Sequence, residues 1–246
     1  MEAIKGVFFD LGGTLRICEE APEHQRAARA RMAELAGAPD PDAFVEMIDR
    51  RYEPYRKWAL AEMREAHDFE LWRDWLLPEL PEERLKQICH EMTFQYRQVK
   101  GLRHVVSGGL EVIRTLHGRG FRLGIISNLI GETEIGDWLE ADGLSKYFDA
   151  VILSSVTGIR KPDPRMYDLG CEALGLPPSA CANIADNLKR DFSGAKAAGI
   201  GANVLFISEE KLARSVITDE NRPDFIVHDF SAIPGLPIFA EGGTGA

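Results

Sequence analysis

Val7-Phe8-Phe9-Asp10-Leu11-Gly12-Gly13-Thr14-Leu15 is the stretch on which the fold turns. Val7, Phe8 and Phe9 carry no polar atom, which suits a central parallel strand covered on both faces. The run then meets a carboxylate, two glycines and a hydroxyl. Asp10 falls at the carboxyl end of the strand, where open α/β sheets bind ligands. Gly12 and Gly13 let the backbone turn sharply and approach a ligand closely, and Thr14 adds a hydroxyl. A plain strand, glycine turn and capping aspartate would look the same in isolation, so the neighbouring sequence has to decide.

From about Arg16 to Lys100 the pattern predicts helices only. Pro22 is placed as a first-turn proline, and Ala28, Met32 and Leu35 recur at helical spacing until Gly37. Asp40-Pro41 predicts a capped second helix carrying Phe44, Ile48 and Tyr52, with Pro54 as a break or kink. An aromatic-rich stretch with Trp58, Met63, Phe69, Trp72 and Trp75 closes at Pro78. It suits either a bundle core or a dimer surface, so oligomeric state stays open. Pro81-Glu82-Glu83 then opens an amphipathic helix with Leu85, Ile88, Cys89, Met92, Tyr96 and Val99 on one face.

From Gly101 the chain alternates helix and strand. Helices are predicted at Gly109 to Leu116, Trp138 to Leu144, Arg165 to Leu174 and Phe192 to Ala198. Strands are predicted at Phe121 to Ile126, Ala150 to Leu153, Cys181 to Ala185, Ala202 to Phe206 and Asp224 to Val227. Strands joined through helices imply right-handed crossovers and a parallel sheet. The glycine-rich end, Glu241 to Ala246, is expected to be flexible. No internal repeat is present.

Composition narrows the function classes. A formal charge of −10 argues against sequence-independent nucleic-acid binding, and Arg26, Arg29 and Arg31 read as a solvated helix face. No apolar run approaches the length of a membrane span, and Met1 to Lys5 lead into the first strand without a signal-peptide layout, so a cytoplasmic protein is expected. Cys18, Cys89, Cys171 and Cys181 have no metal or redox spacing and are expected as reduced, packed thiols.

In a parallel sheet, four strand ends gather at one edge: Asp10, Ser127-Asn128, the loop to Lys161, and Asp186 with Asp191. Each has an ordinary explanation as a cap or a surface lysine. Together they supply a carboxylate nucleophile, a hydroxyl, an ammonium and further carboxylates, the parts phosphoryl transfer requires.

In these positions the chain resembles the haloacid dehalogenase-like superfamily. The first motif matches Asp10 to Thr14, the second Ser127, and the third Lys161 within Arg160-Lys161-Pro162-Asp163-Pro164. The fourth matches Asp186 and Asp191, running on to Gly194-Ala195 and Ala198-Gly199. The resemblance implies a Rossmann-like three-layer α/β core (residues 1–15 and 102–246) with an inserted α-helical cap domain (16–101) that selects substrate. It implies that Asp10 attacks phosphorus to form an aspartyl-phosphate, with Thr14 orienting the loop. Gly13, Ser127, Asn128 and Lys161 would contact the phosphate, and Asp10, Asp186 and the carbonyl of Gly12 would hold Mg2+. Asp191 would hold Lys161 or a metal-bound water. The expected ligand is a small phosphorylated metabolite.

One position departs from the pattern. The superfamily's phosphatases carry an acid/base aspartate two residues after the nucleophile, where this chain has Gly12. Such a group contributes roughly 10²- to 10⁴-fold. A phosphatase reading therefore implies slow turnover, good leaving groups, or a substitute acid such as Glu19, Glu20, His24 or His67. A phosphonatase would need a cap lysine such as Lys57, and a 2-haloacid dehalogenase would not need the carboxylate of Asp186. A phosphate- or partner-binding module without turnover would tolerate Gly12 unchanged.

Overall fold

A computed structural model describes residues 3–240; the expected flexible end at 241–246 lies outside them. The elements run β1 Gly6–Phe9, β2 Arg16–Glu19, α1 Pro22–Ala36, α2 Pro41–Glu62, α3 Asp68–Leu71 and α4 Glu82–Gln98. They continue with β3 Leu102–Val105, α5 Gly109–Gly118, β4 Arg122–Ser127, α6 Glu134–Ala141, β5 Ala150–Leu153, α7 Ser154–Thr157 and α8 Arg165–Leu174. The last are β6 Cys181–Ala185, α9 Ser193–Ala197, β7 Ala202–Phe206, α10 Glu209–Ala213 and β8 Phe225–Val227.

Six strands form one parallel sheet in the order β5-β4-β1-β6-β7-β8. The apolar run of β1 occupies a central place because both of its faces are buried. Val7 and Phe9 pack on one face with Val112, Ile113 and Leu116 of α5, and Phe8 points to the other, among Met166, Tyr167 and Leu174 of α8. The Phe8 ring explains Gly124 and Gly170: a Cβ would come within 2.7 Å of the ring at Gly124 and 2.9 Å at Gly170. This is a three-layer α/β core. Among the described residues, no helix is long and apolar enough to cross a membrane.

Helices α1 to α4 build a separate apolar cluster around Met32, Ile48, Tyr55, Leu71, Trp72 and Met92, all fully buried. The signals at its ends act as their chemistry dictates: Asp40 accepts hydrogen bonds from the Asp42 and Ala43 amides, and Gly37 closes α1 in the left-handed region. Pro54 neither breaks nor ends α2. It lies on the exposed face, where water can satisfy the carbonyl one turn earlier, while Tyr55 and Ala59 anchor the helix on the buried side.

The helical insert does not begin at Arg16 as expected. Arg16–Glu19 is a strand, paired antiparallel with Leu102–Val105. The chain leaves the core and returns to it side by side, and backbone groups at that double crossing satisfy one another. On the far side, Arg160 N donates to the Met63 carbonyl (3.0 Å) and Glu65 N to the Gly158 carbonyl (3.1 Å). Buried Glu65 pairs with Arg160 and accepts from Ser154 Oγ at 2.8 Å. Helix α6 begins four residues earlier than expected. Cys18 is exposed rather than packed, whereas the other three cysteines are buried.

Candidate active site

Asp10 follows the central strand and is held by Asp10 N donating to the Ile184 carbonyl of β6 (3.0 Å). Its turn closes on itself: Thr14 N and Arg16 N both donate to the Leu11 carbonyl, at 3.1 and 2.8 Å. Gly13 adopts φ +83°, and a Cβ there would lie 2.4 Å from Asp186 Oδ2. Only glycine brings the backbone this close to the second carboxylate. Gly12 is different, since a Cβ there would meet nothing within 4 Å. The buried Thr14 hydroxyl has no hydrogen-bond partner.

The neighbouring strands deliver the other groups. Ser127 Oγ, at the tip of β4, donates to Asp10 Oδ1 at 3.1 Å. Lys161 Nζ donates to the same oxygen at 2.8 Å and to the Ile126 carbonyl at 2.7 Å, and it pairs with Asp191. Asn128 directs both ends of its amide to the Lys161 main chain, donating at 2.9 Å and accepting at 2.8 Å. It therefore sets the height of the lysine loop as well as lining the adjoining cavity. Tyr167 Oη donates to the Asp191 carbonyl at 2.7 Å.

Asp10, Asp186 and Asp191 bring carboxylate oxygens within 4.8 Å of one another. Burial pushes Asp10 up, but Lys161 and Arg190 outweigh it and hold Asp10 below its ordinary value. Burial and the charge of Asp10 push Asp186 up to about 6. Asp186 Oδ1 is buried without a hydrogen bond. Such a set of hard oxygen donors, short of positive charge at Asp186, fits a divalent cation of the magnesium type.

Sequence reasoning missed Arg190. Residues Leu188–Phe192 form a π-helical turn, capped by Asn187, whose side chain accepts from Arg190 N at 2.9 Å. The turn aims the guanidinium back at the cluster: Nη2 lies 3.2 Å from Asp10 Oδ2, 3.5 Å from Asp186 Oδ1 and 3.3 Å from Asp191 Oδ2. A protein cation thus stands among the oxygens that suit a metal. Its spacing four residues after Asp186 was a legible signal only if the helix began before Phe192.

Two hollows adjoin these groups. A wide groove of about 610 Å³ runs from Asp186 toward Lys211 and Arg214 on the outer side. The cavity that faces Gly12, Gly13 and Ser127 is smaller, about 290 Å³, and is walled by Leu11, Leu129 and Ile135. It also receives Arg16, Arg97 and Arg103. The alternation of the β2/β3 ribbon explains two of these: Arg16 and Cys18 share a face, and Arg103 sits directly opposite Cys18. Glu19, Glu20, His24, His67 and Lys57 do not line this cavity. His24 instead shares a hydrogen bond with Gln98 (3.1 Å), and His67 with Glu132 (3.2 Å).

A sequence profile described as haloacid dehalogenase-like hydrolase matches residues 4–199. The haloacid dehalogenase-like hydrolase domain-containing protein 3 of Bos taurus is 34% identical over 57% of this chain and 54% of its own length. The chain therefore spans about half the length of that relative. The N-acylneuraminate-9-phosphatase of Mus musculus is 22% identical over 96% of this chain and 94% of its own. Among solved structures, the 2-haloacid dehalogenase from Pseudomonas syringae pv. Tomato DC3000 superposes with a TM-score of 0.63 at 21% identity. That superposition covers 96% of this chain and 98% of the other, and it speaks to the fold.

Proposed function

The chain belongs to the haloacid dehalogenase-like hydrolases, and from that premise we propose that it is a phosphatase acting on a small phosphorylated metabolite through Asp10. The observation that carries this reading is Asp10 at a strand tip, held below its ordinary value and touched by Lys161 and Ser127, with its neighbours Gly12, Gly13 and Ser127 lining a cavity of about 290 Å³. The full-length likeness to a phosphatase of another organism supports the substrate class.

In this reading Asp10 attacks phosphorus, the bond to the leaving oxygen breaks, and an aspartyl-phosphate forms that water then hydrolyses. Lys161 Nζ and Ser127 Oγ stabilise charge on the transferring oxygens. Asp191 pairs with the ammonium and holds it in place, and Asn128 fixes the loop beneath it. Asp10, Asp186 and the Gly12 carbonyl would hold Mg2+, which when bound adds positive charge against the phosphoryl oxygens. Arg190 then has to swing away from Asp10 and Asp186. Residues 16–101 act as the cap that shapes the cavity.

The leaving oxygen receives no proton from Gly12, and among the described residues no carboxylate or imidazole lines the cavity to replace it. Turnover should therefore favour acyl and aryl phosphates over alkyl ones. The test is phosphate release from all three classes, with and without Mg2+, using Asp10→Asn as the blank. Release that needs Asp10 and Mg2+ supports the reading. A wild-type protein that matches the blank on every compound overturns it and leaves a binding module.

A second reading is favoured by one observation, the guanidinium of Arg190 already neutralising the carboxylates. Displacement of halide from carbon by Asp10 needs neither a metal nor a protonated leaving group. Halide release from a 2-haloacid in the presence of a chelator, lost in Asp10→Asn, would select this reading over the first.

A further inference from the structure

The cavity beside Asp10 carries an unusual charge balance. Three guanidinium groups reach it from three elements: Arg16 from β2, Arg97 from α4 and Arg103 from β3. One buried carboxylate, Glu134 of α6, answers them. Arg16 Nη1 donates to Glu134 Oε1 at 3.0 Å, and Arg97 pairs with Glu134 Oε2. Arg103 has no carboxylate within ion-pair distance among the described residues; it donates to the Arg97 carbonyl at 2.7 Å. The exposed Asp142 adds only a weaker attraction to Arg16.

These groups are not solvated surface arginines. Arg16 is 8% exposed, its guanidinium lies 4.4 Å from the Trp138 ring centre, and its Nε has no hydrogen-bond partner. The Arg97 side chain is 15% exposed. Burial, then the like charge of Arg97, hold Arg103 below its ordinary value. Packing three cations around one carboxylate in the lining of this cavity costs free energy that the Trp138 ring and the Arg97 carbonyl offset only in part. An incoming anion returns it. Arginine forks bind carboxylate and phosphate in two-point geometry, and charge-assisted hydrogen bonds are the strong ones.

We propose that the substrate is a small phosphate ester bearing a second anionic group, which Arg16, Arg97 and Arg103 receive while the phosphate faces Asp10. This inference rests on the phosphatase reading. The cavity of about 290 Å³ has room for a small organic phosphate such as a three-carbon phosphoryloxy acid. A carboxylate and a second phosphate share the recognising chemistry, and the apolar wall of Leu11, Leu129 and Ile135 suits the short carbon chain between the two charges.

The test uses the full chain with Mg2+ and ligands it cannot hydrolyse. Calorimetric titration compares phosphonopropionate, propylphosphonate and propylene bisphosphonate. Phosphonopropionate should bind about tenfold more tightly than propylphosphonate, the gain of one charge-assisted contact. A bisphosphonate that binds more tightly still identifies the second anion as a phosphate. Arg103→Gln should bring the ratio toward one, and Arg103→Lys should retain part of it. Equal binding of the mono- and dianionic ligands by wild-type protein overturns the inference without recourse to any variant. So does a full preference kept by folded Arg103→Gln. Phosphate release from 4-carboxyphenyl phosphate and phenyl phosphate, both with good leaving groups, is read in parallel. Preference in binding without release from either ester overturns the phosphatase reading and leaves the anion site standing.

Discussion

Two charge clusters lie on either side of the Gly12-Gly13 turn, and they are balanced in opposite ways. On the sheet side, Asp10, Asp186 and Asp191 are answered by Lys161 and Arg190, so the negative excess is small and every cation touches Asp10. On the helical side, among the described residues, Glu134 is the one carboxylate that pairs with this group, reaching Arg16 and Arg97 while Arg103 has no ion-pair partner. The first cluster sits on the tips of central strands, whose geometry a close-packed core holds rigid. The second is shared among a ribbon and two helices. Near-complete compensation holds the Asp10 carboxyl below its ordinary value, as the proposed nucleophile requires. Deliberate under-compensation stores affinity for a ligand, and the turn between them is where the two halves of one substrate meet.

Four experiments probe that contrast, beginning with the largest effect. Asp10→Asn removes the group on which the compensated cluster converges, and turnover should fall about 10⁴-fold or more, read as phosphate release. Gly12→Asp comes next. The position is open at its base, with nothing among the described residues within 4 Å of a built Cβ. Activity on alkyl phosphates should rise by about 10²- to 10⁴-fold, with a smaller gain on aryl phosphates. No gain on either would show that the balanced cluster is not poised for turnover.

Glu134→Gln tests the under-compensated side. Burial raises the Glu134 carboxyl, but Arg97, Arg16 and Arg103 outweigh it and hold it below the usual carboxylate range. A depressed pKa contributes stability that is present above the unfolded value of about 4.3 and lost as pH falls through the folded one. Chemical denaturation at neutral pH should report about 3 kcal/mol lost in the variant, and its stability should depend less on pH below about 4.3. The smallest effect is expected for Arg190→Met, which removes the protein cation from Asp10 and Asp186. Mn2+ or Mg2+ affinity, measured by titration calorimetry, should rise about tenfold. Unchanged affinity would mean that the guanidinium moves aside at no cost.

What could be read from sequence follows physical range. The strands Cys181–Ala185 and Ala202–Phe206 and the helix Arg165–Leu174 match their expected limits because local apolar runs and caps determine them. Asp10, Ser127, Lys161, Asp186 and Asp191 could be grouped because a parallel sheet sends every strand end to one edge. The ribbon of Arg16–Glu19 with Leu102–Val105 was hidden, since each half is too short to declare itself without its distant partner. Arg190 was hidden by a π-turn that starts the helix earlier than the apolar pattern suggests. The arginine site was hidden together with the ribbon: its members lie far apart in sequence, and only the register of the ribbon and the end of α4 unite them.

The ribbon has a mechanical meaning beyond its hydrogen bonds. Both passages of the chain between sheet and helices run through it, so any swing of the helical insert turns about this pair of strands. Arg16 and Arg103 are carried on the axle, Arg97 on the moving part and Glu134 on the fixed part. The angle between insert and sheet therefore also sets the spacing of the three arginines.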